Sequence, residues 1–263
     1  MTGSAETGSD DETGEVHPAA LSFGPVADVY DRARPDYPSE AVAHLARVLD
    51  LRPGRLVADI GAGTGKLTRL LVPTGAEVHA VEPVDGMRDG LVRTTPGVTV
   101  HAATAEALPF GPASLDGATA AQAVHWFGPA WADELVRTLR PGAAIAVVYN
   151  VRDRTQPVQA AISEARERVA DGAPSYASGR WREPLEGCDG LVDGGADRFP
   201  WAYERSHAEV LDQVRSLAPI SALDSAHRDR LLAGIAEVLE GEPDPVALRC
   251  TTEVTLWRRA GRG

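Results

Sequence analysis

The sequence predicts an α/β fold, in which helices cover both faces of an open, mostly parallel β-sheet (a doubly wound sheet) and a helical cap is added. Two observations predict it. Between residues 56 and 149, short apolar runs typical of buried strands alternate with helical patterns over short links, as in sheets built from strand–helix–strand units. Near the end of the chain, Leu248–Trp257 alternates as a strand, and we expect it to return to the same sheet.

The composition supports a globular core and argues against polyanionic partners. Of 263 residues, 43% are hydrophobic and 24% are charged, which is ordinary for a soluble domain with an elaboration. Acidic residues outnumber basic ones 38 to 26, for a formal net charge of −12. Since a negative field repels phosphate backbones and anionic lipid, we expect neither nucleic-acid nor membrane binding.

Cysteine and histidine usage predicts neither a disulfide framework nor a metal site. Cys188 and Cys250 lie far apart without a CxxC spacing, and the seven histidines lack the spacing of metal ligands. No apolar run approaches the roughly 20 residues of a membrane helix, and the acidic N-terminus is unlike a signal peptide. We expect a soluble cytoplasmic protein, either a monomer or a homodimer.

The predicted organisation has four parts. Residues 1–18 are rich in Gly, Ser, Thr and acids, which predicts a disordered tail. Residues 19–150 are expected to form the ligand-binding core behind an N-terminal helical segment. We assign 151–240 to a cap on the substrate side and 241–263 to the final strand and tail.

The core begins with a helix that Ser39 can cap, whose apolar residues fall on one face. It ends at the turn Arg52-Pro53-Gly54. The strand over 116–121 is the weakest of the set because Ala and Gly are poor strand formers. The elements that we predict after the first turn are a strand over 56–60, a helix over 64–72, a strand over 77–81, a helix over 84–93, a strand over 98–102, a strand over 116–121, a helix over 129–139 and a strand over 143–149.

The alternation stops after Asn150. Residues 156–170 have a helical pattern, whereas 171–200 are rich in Gly, Asp, Pro and aromatic residues. Two further helical segments, 207–217 and 224–240, precede the last strand. This change of pattern is the reason for assigning the region to a cap.

The glycine loop after the first strand is the most informative segment. It reads Asp59-Ile-Gly-Ala-Gly-Thr-Gly65-Lys66. A P-loop requires GxxxxGK followed by Ser or Thr, but Ile60 and Leu67 stand at two of the required positions. The dinucleotide pattern GxGxxG requires glycine at Lys66. The sequence therefore excludes both loops.

The remaining pattern, Asp-x-Gly-x-Gly-x-Gly, indicates a ligand without phosphate. An acid such as Asp59 before the first glycine would repel a pyrophosphate but suits an ammonium group. Glu82 ends the second strand, where a carboxylate can accept hydrogen bonds from both hydroxyls of a ribose. The implied ligand contains a ribose and a cationic amino-acid portion.

At this point the chain resembles the class I S-adenosylmethionine-dependent methyltransferases, closely over about 23–150 and loosely over 150–258, and specifically a small-molecule, trans-aconitate-methyltransferase-like subgroup. The resemblance implies a Rossmann-like sheet. The segments that carry it are Asp59–Gly65 as the first motif, Glu82-Pro83 as the ribose acid, Thr104–Phe110 as the adenine-side segment, Gln122–Phe127 as the subgroup's fourth motif and Tyr30–Pro38 as its N-terminal signature.

The resemblance implies S-adenosylmethionine as the cofactor, S-adenosylhomocysteine as its product, no metal and a small-molecule acceptor. Thr104 stands where many relatives have Asp, so a carboxylate contact to adenine is not expected there. His125 is a candidate general base, and Tyr37, Trp126, Phe127 and Trp181 are candidate acceptor contacts. The candidate cofactor-binding residues are Tyr30, Arg34, Asp59, Gly61, Ala62, Gly63, Gly65, Glu82, Pro83, Met87, Thr104, Ala105, Glu106 and Gln122.

We favour O-methylation of a hydroxyl or carboxylate, because the subgroup includes enzymes acting on small carboxylic acids and natural-product hydroxyls; N- and C-methylation stay open. No Asn/Asp-Pro-Pro-aromatic motif follows the fourth strand, which argues against methylation of base amino groups. Two alternatives remain. One is a cofactor-binding protein without methyl transfer, acting as a scaffold, regulator or non-redox cyclase. The other is a nicotinamide oxidoreductase, which Lys66 disfavours.

Overall fold

The computed structural model describes residues 31, 34–170 and 174–261. Within these residues, seven strands form one mixed sheet in the order β3-β2-β1-β4-β5-β7-β6. The predicted tail over 1–18 and the candidate residue Tyr30 lie outside the described part. The strands are β1 (Leu56–Ile60), β2 (Glu77–Val81), β3 (Thr99–His101), β4 (Leu115–Ala121), β5 (Leu139–Arg152), β6 (Leu191–Arg205) and β7 (Val246–Arg259).

Helices lie between these strands and form a further layer after β5. The helices of the described residues are α1 (Ser39–Val48), α2 (Thr68–Leu71), α3 (Asp85–Thr94), α4 (Trp131–Thr138), α5 (Pro157–Val169), α6 (Glu183–Glu186), α7 (His207–Arg215), α8 (Ala218–Ser221) and α9 (Ser225–Leu239). Ser39 is the first residue of α1 and Pro38 is the N-cap, without a side-chain cap, so the predicted capping role of Ser39 is wrong. The predicted helix over 64–72 is shorter, because a turn occupies its first residues.

The sheet has the doubly wound topology that the sequence predicts. Strands β1 to β5 pair in parallel, whereas β7 runs antiparallel to both β5 and β6. The chain builds outward from β1 to β3 and then returns to place β4 on the other side of β1. Such a reversal leaves a crevice at the carboxyl ends of β1 and β4, where open α/β sheets bind their ligands.

Apolar cores lie on both faces of the sheet, which explains why the central strands are buried along almost their whole length. One core includes Ile60, Val81, Leu115, Leu135 and Ile145. The opposite core includes Leu45, Val57, Leu71, Val78 and Val148. A third cluster joins the helical layer to β7 through Val158, Ile162, Val210, Ile235 and Leu248.

The strand β6 is the main difference from the sequence prediction, which placed 171–200 wholly in the cap. The segment contains Gly, Asp and Pro, which individually disfavour strands, but it pairs along nearly its whole length with β7. A Cβ at Gly194 would lie 2.9 Å from the Leu256 Cβ, so glycine is required where the register shifts. Pro200 is tolerated because β6 is an edge strand. Residues 191–205 therefore belong to the sheet, inside the range that we assigned to the cap.

Candidate functional site

A cavity of about 320 Å³ opens at the carboxyl ends of the central strands, beneath the helical layer. The predicted site residues that line it are Arg34, Tyr37, Gly61, Ala62, Gly63, Glu82, Pro83, Met87, Thr104, Ala105, Glu106, Gln122, His125, Trp126 and Phe127. Three others, Asp59, Gly65 and Trp181, are not among its lining residues. The cavity thus brings together predicted residues from separate segments of the chain, from Arg34 to Phe127.

The three glycines of the loop after β1 have different surroundings. All have positive φ angles, +66° at Gly61, +57° at Gly63 and +83° at Gly65. A Cβ at Gly61 would lie 2.6 Å from the Ala123 Cβ, so this glycine lets the loop after β4 approach. A Cβ at Gly63 would meet nothing within 4 Å. Gly63 is therefore the glycine that leaves open space on the cavity side.

Gly65 corrects the expectation that all three glycines face the ligand. A Cβ there would lie 3.0 Å from both the Leu91 Cγ and the Thr95 Oγ1. Both residues belong to the end of α3. The absence of a side chain at this position therefore allows the loop to pack against α3.

Glu82, directly after β2, is buried with 6% of its surface exposed. Its Oε2 accepts a hydrogen bond of 2.9 Å from the Gly63 backbone N–H, and its Oε1 accepts one of 2.9 Å from Val84. Burial raises the pKa of the Glu82 carboxyl, against these hydrogen bonds. Because a carboxylate oxygen can accept more than one hydrogen bond, both oxygens keep acceptor capacity toward the cavity.

Asp59 does not occupy the position that we expected, next to an ammonium group of the ligand. It is fully buried, and its two oxygens accept hydrogen bonds from the hydroxyls of Thr119 (2.7 Å) and Thr68 (2.6 Å). Burial raises its pKa to about 6. The carboxylate therefore ties β1 to β4 and α2, and any effect on a ligand is indirect.

The loops after β2 and β3 form one end of the cavity. Met87 is 4% exposed and lines it together with Pro83, Thr104 and Ala105. The Thr104 Oγ1 is shielded from solvent and has no hydrogen-bond partner among the described residues. An unpaired buried hydroxyl is costly, so this atom is suited to a polar group of a ligand.

The loop after β4 carries aromatic side chains into the cavity. His125 lies in a short 3₁₀ turn, Val124–Trp126, and its ring centroid is 4.7 Å from that of Trp126 and 6.0 Å from that of Tyr149. Its Nδ1 is shielded and has no hydrogen-bond partner in the described part of the chain. Burial, with Arg166 and Arg34 nearby, lowers the pKa of His125 to about 3, so the imidazole is neutral at physiological pH.

The segment before α1 is attached to the glycine loop by ion pairs. Asp36 lies 3.0 Å from the Lys66 Nζ and 2.9 Å from the Arg69 Nη2. Asp31 accepts hydrogen bonds from Thr64 (2.7 Å) and Arg69 (3.1 Å). The only lysine of the chain therefore holds a segment that includes three cavity residues, Arg34, Pro35 and Tyr37.

The cap end of the cavity contains residues that the sequence analysis missed. Tyr149, near the end of β5, stacks on Tyr176 with centroids 3.7 Å apart and an interplanar angle of 5°. The missed residues also include Arg152, Arg154, Ser163, Arg166, Tyr203, Gln213 and Cys250. His125 follows the carboxyl end of β4, where open α/β sheets bind their ligands. The same criterion applied to the end of β5 would have selected Tyr149 and Arg152 as well.

Trp181, a predicted acceptor contact, is not among the residues that line the cavity. It is 5% exposed, belongs to the core on one face of the sheet and stacks behind Tyr176 with a centroid distance of 5.1 Å. Trp181 therefore supports the aromatic wall from behind.

The described residues contain no cluster of three or more His, Cys, Asp or Glu that could hold a metal ion. Across the same residues, every helix is too short or too polar to span a bilayer.

Comparison with known proteins identifies the family. Residues 58–147 match the family model described as "Methyltransferase domain". An uncharacterized methyltransferase-like protein of Schizosaccharomyces pombe is 30% identical over 220 residues, which cover 83% of this chain and 85% of that protein. An uncharacterized methyltransferase of Mycobacterium tuberculosis is 44% identical over 135 residues, 51% of this chain and 54% of that protein. The chain thus matches about half the length of the mycobacterial relative.

A solved structure described as a type II methyltransferase from Anaeromyxobacter dehalogenans superimposes with a TM-score of 0.65 at 27% identity, covering 87% of this chain and 99% of that one. With the sheet order and the cavity at its reversal point, these similarities define the class. The chain belongs to the class I S-adenosylmethionine-dependent methyltransferases, as its motifs predicted.

Proposed function

We propose that the protein transfers a methyl group from S-adenosylmethionine to a small-molecule acceptor. The observation that carries this proposal is the pairing of Glu82 with the Gly63 backbone at the cavity wall. A buried carboxylate beside open space at a glycine provides acceptors for a ribose and room for the amino-acid portion of the cofactor.

The residues at the end of the cavity nearest β1, β2 and β3 fit each part of this cofactor. Glu82 would accept hydrogen bonds from the ribose, and Gly63 would leave room for the methionine portion. Met87 and the Thr104-Ala105-Glu106 segment would border the adenine, with the unpaired Thr104 hydroxyl available for a polar ring atom. Arg34 would pair with the cofactor carboxylate. When bound, S-adenosylmethionine supplies an electrophilic methyl group on a sulfonium.

The aromatic residues around His125 would exclude water from the transfer site. Trp126, Phe127 and Tyr149 line the cavity beside it. Methyl transfer from a sulfonium disperses charge, so a dry and oriented pocket favours it. Orientation in this sense contributes up to roughly 7–11 kcal/mol in intramolecular systems, which makes positioning the main catalytic contribution that we propose for these side chains.

His125 would orient the acceptor by accepting a hydrogen bond at its unpaired Nδ1 from an acceptor hydroxyl. Its pKa of about 3 makes the imidazole a weak base, because efficient general bases have a pKa near the working pH. We therefore assign His125 mainly to positioning, with proton removal completed by solvent as the acceptor leaves.

The finer features of the proposal follow the trans-aconitate-methyltransferase-like resemblance. They are O-methylation of a small carboxylic acid or a natural-product hydroxyl, and a cytoplasmic protein that is a monomer or a homodimer. The free thiols of Cys188 and Cys250 are consistent with a reducing compartment.

The test is the formation of S-adenosylhomocysteine by the purified protein with a panel of small carboxylic acids, phenols and alcohols. We expect product that depends on one acceptor class and a reduced turnover in His125→Gln with unchanged cofactor affinity. Tight cofactor binding without product across the whole panel would favour a non-catalytic binding protein. Binding of NAD without binding of S-adenosylmethionine would favour an oxidoreductase.

A further inference from the structure

The cap end of the cavity has a concentration of positive charge that the cofactor does not account for. Arg152, at the end of β5, and Arg154 line it from the sheet side, and Arg166 lines it from α5. Arg34, which we assign to the cofactor carboxylate, lines the same cavity from the N-terminal segment.

These arginines differ in how their charge is balanced. Arg154 has a counter-ion, because its Nη1 and Nη2 donate to Glu167 at 2.6 and 3.2 Å. The side chains of Arg152 and Arg166 make no hydrogen bond or ion pair with the described residues, and the Arg152 Nε is shielded from solvent without a partner there. A shielded guanidinium without a counter-ion is destabilising, so this end of the cavity is suited to an anion.

The groups around Arg152 do not supply that anion. The titratable neighbours that act on it most are Arg34, Tyr203, Cys250 and Tyr149, and only Arg34 carries a charge at neutral pH. Burial and Arg34 lower the pKa of the Arg152 guanidinium, and burial raises the pKa of Cys250 to about 11. The neighbouring thiol and phenols therefore stay neutral and leave the positive charge uncompensated.

The position of Arg152 along β5 separates this charge from the cofactor end. Tyr149 lies one residue beyond the end of the β4–β5 pairing at Ala121 and Val148. Arg152 lies three residues further, about 10 Å along the strand. Arg152 pairs in register with Cys250 of β7, on the side of the sheet away from the glycine loop after β1. A cofactor carboxylate near Gly63 would be closer to Arg34 than to this position.

We propose that Arg152 and Arg166 form an oxyanion-binding site for the methyl acceptor, which takes a carboxylate or a phosphate group. The assignment of the bound anion to the acceptor rests on the proposed function. A guanidinium donates two parallel hydrogen bonds to such a group.

The experiment uses three anions and their uncharged counterparts: phenylacetate and phenylacetamide, succinate and succinamide, phenyl phosphate and phenol. Binding to the full chain saturated with S-adenosylhomocysteine is measured by calorimetry for the wild type, Arg152→Met, Arg166→Met and Arg154→Met. Methionine keeps much of the length of the side chain without its charge. Arg154→Met is the matched control because Arg154 lies on the same wall but is already paired with Glu167.

We expect at least one anion to bind the wild type about tenfold or more tightly than its neutral counterpart. Arg152→Met and Arg166→Met should each remove most of that preference, whereas Arg154→Met should retain it. Preference for the carboxylates or for phenyl phosphate then identifies the anionic group. Equal binding of anions and neutral counterparts by the wild type, or an undiminished preference in Arg152→Met, would overturn the proposal.

The affinity for S-adenosylhomocysteine distinguishes the acceptor site from a cofactor site. Arg152→Met should bind S-adenosylhomocysteine like the wild type, and a loss of about tenfold would assign the arginine to the cofactor carboxylate and refute the acceptor site. The anion titrations are repeated without the nucleoside. A protein that binds no S-adenosylhomocysteine but still binds anions through Arg152 would contradict the proposed function and leave the oxyanion site intact.

Discussion

Replacing Glu82 with glutamine tests the proposed ribose contact with the smallest change in shape. The variant retains one carbonyl oxygen and exchanges the other for an NH₂ group, which cannot accept the hydrogen bond that Gly63 or Val84 now donates. It also replaces charge-assisted hydrogen bonds to the ribose by neutral ones. We therefore expect Glu82→Gln to bind S-adenosylhomocysteine more weakly than the wild type.

The expected magnitude follows from the burial of Glu82. Hydrogen bonds to a charged group contribute about 1.5–3 kcal/mol each, and with 6% exposure solvent offers little replacement. The loss of one such contact corresponds to an increase in the dissociation constant of about ten- to 150-fold. Protein stability should fall far less, because the variant no longer has to bury a charge.

The pH dependence provides a second readout. The pKa of Glu82 in the folded protein is raised by burial, so the carboxylate becomes protonated before an exposed glutamate would as the pH falls. Cofactor affinity should then decrease in the wild type as the pH falls through this raised pKa, and it should change little in Glu82→Gln. The folded state binds the additional proton, so this residue makes the free energy of unfolding larger as the pH falls through its raised pKa.

The assay is calorimetry with S-adenosylhomocysteine, and thermal unfolding verifies that each variant is folded. Glu77→Gln is the matched control, because Glu77 begins the same strand with its side chain 69% exposed. If the Glu82→Gln protein is folded and binds S-adenosylhomocysteine as tightly as the control, the assignment of Glu82 to the ribose is refuted.

Three further predictions concern neighbouring residues. Gly63→Ala and Gly97→Ala each place a Cβ in open space at positive φ and should each cost about 1–2 kcal/mol of stability. Only Gly63→Ala should lose S-adenosylhomocysteine binding in calorimetry. Equal affinities of the two variants would contradict the placement of the cofactor. In Asp59→Asn the remaining oxygen can accept from one threonine, and the new NH₂ group can donate to the other if that hydroxyl turns to accept. The melting temperature should therefore fall only slightly and the cofactor affinity should change less than about threefold. A large loss of affinity in a folded variant would restore Asp59 as a direct ligand contact. The pKa of His125 lies below that of a free histidine, so the unfolded state takes up a proton first as the pH falls. The wild type should therefore lose up to about 2 kcal/mol of unfolding free energy between pH 7 and pH 5. Urea unfolding of His125→Gln should show a correspondingly smaller loss, and an identical loss would show that the imidazole is not shielded.

The parts of the fold that local patterns specify were predictable from the sequence. Apolar runs between short turns identified β1, β2 and β5 and, more weakly, β4, since parallel strands covered on both faces are apolar over most of their length. The strand β6 was not predictable in this way. It contains Gly, Asp and Pro residues that disfavour strands. Its conformation depends on pairing with β7, which lies some fifty residues further along the chain.

The candidate site was predictable where a motif stands at the end of a strand. The surroundings of Gly63, Glu82 and His125 follow from that position alone. The different roles of Gly65 and Asp59 depend on what packs behind the loop, and adjacent positions in the motif do not reveal it. The arginines and tyrosines of the cap end come from separate helices and strands, so their convergence with Tyr149 required the three-dimensional arrangement.

The most direct test of the account is a crystal structure of the protein with S-adenosylhomocysteine. We predict the ribose hydroxyls within about 2.5–3.0 Å of the Glu82 carboxylate oxygens, the amino-acid portion against Gly63, and the thioether sulfur facing the cavity between His125 and Tyr149. A nucleoside bound away from Glu82, or its absence from the cavity at saturating concentration, would contradict the assignment of this cavity to methyl transfer.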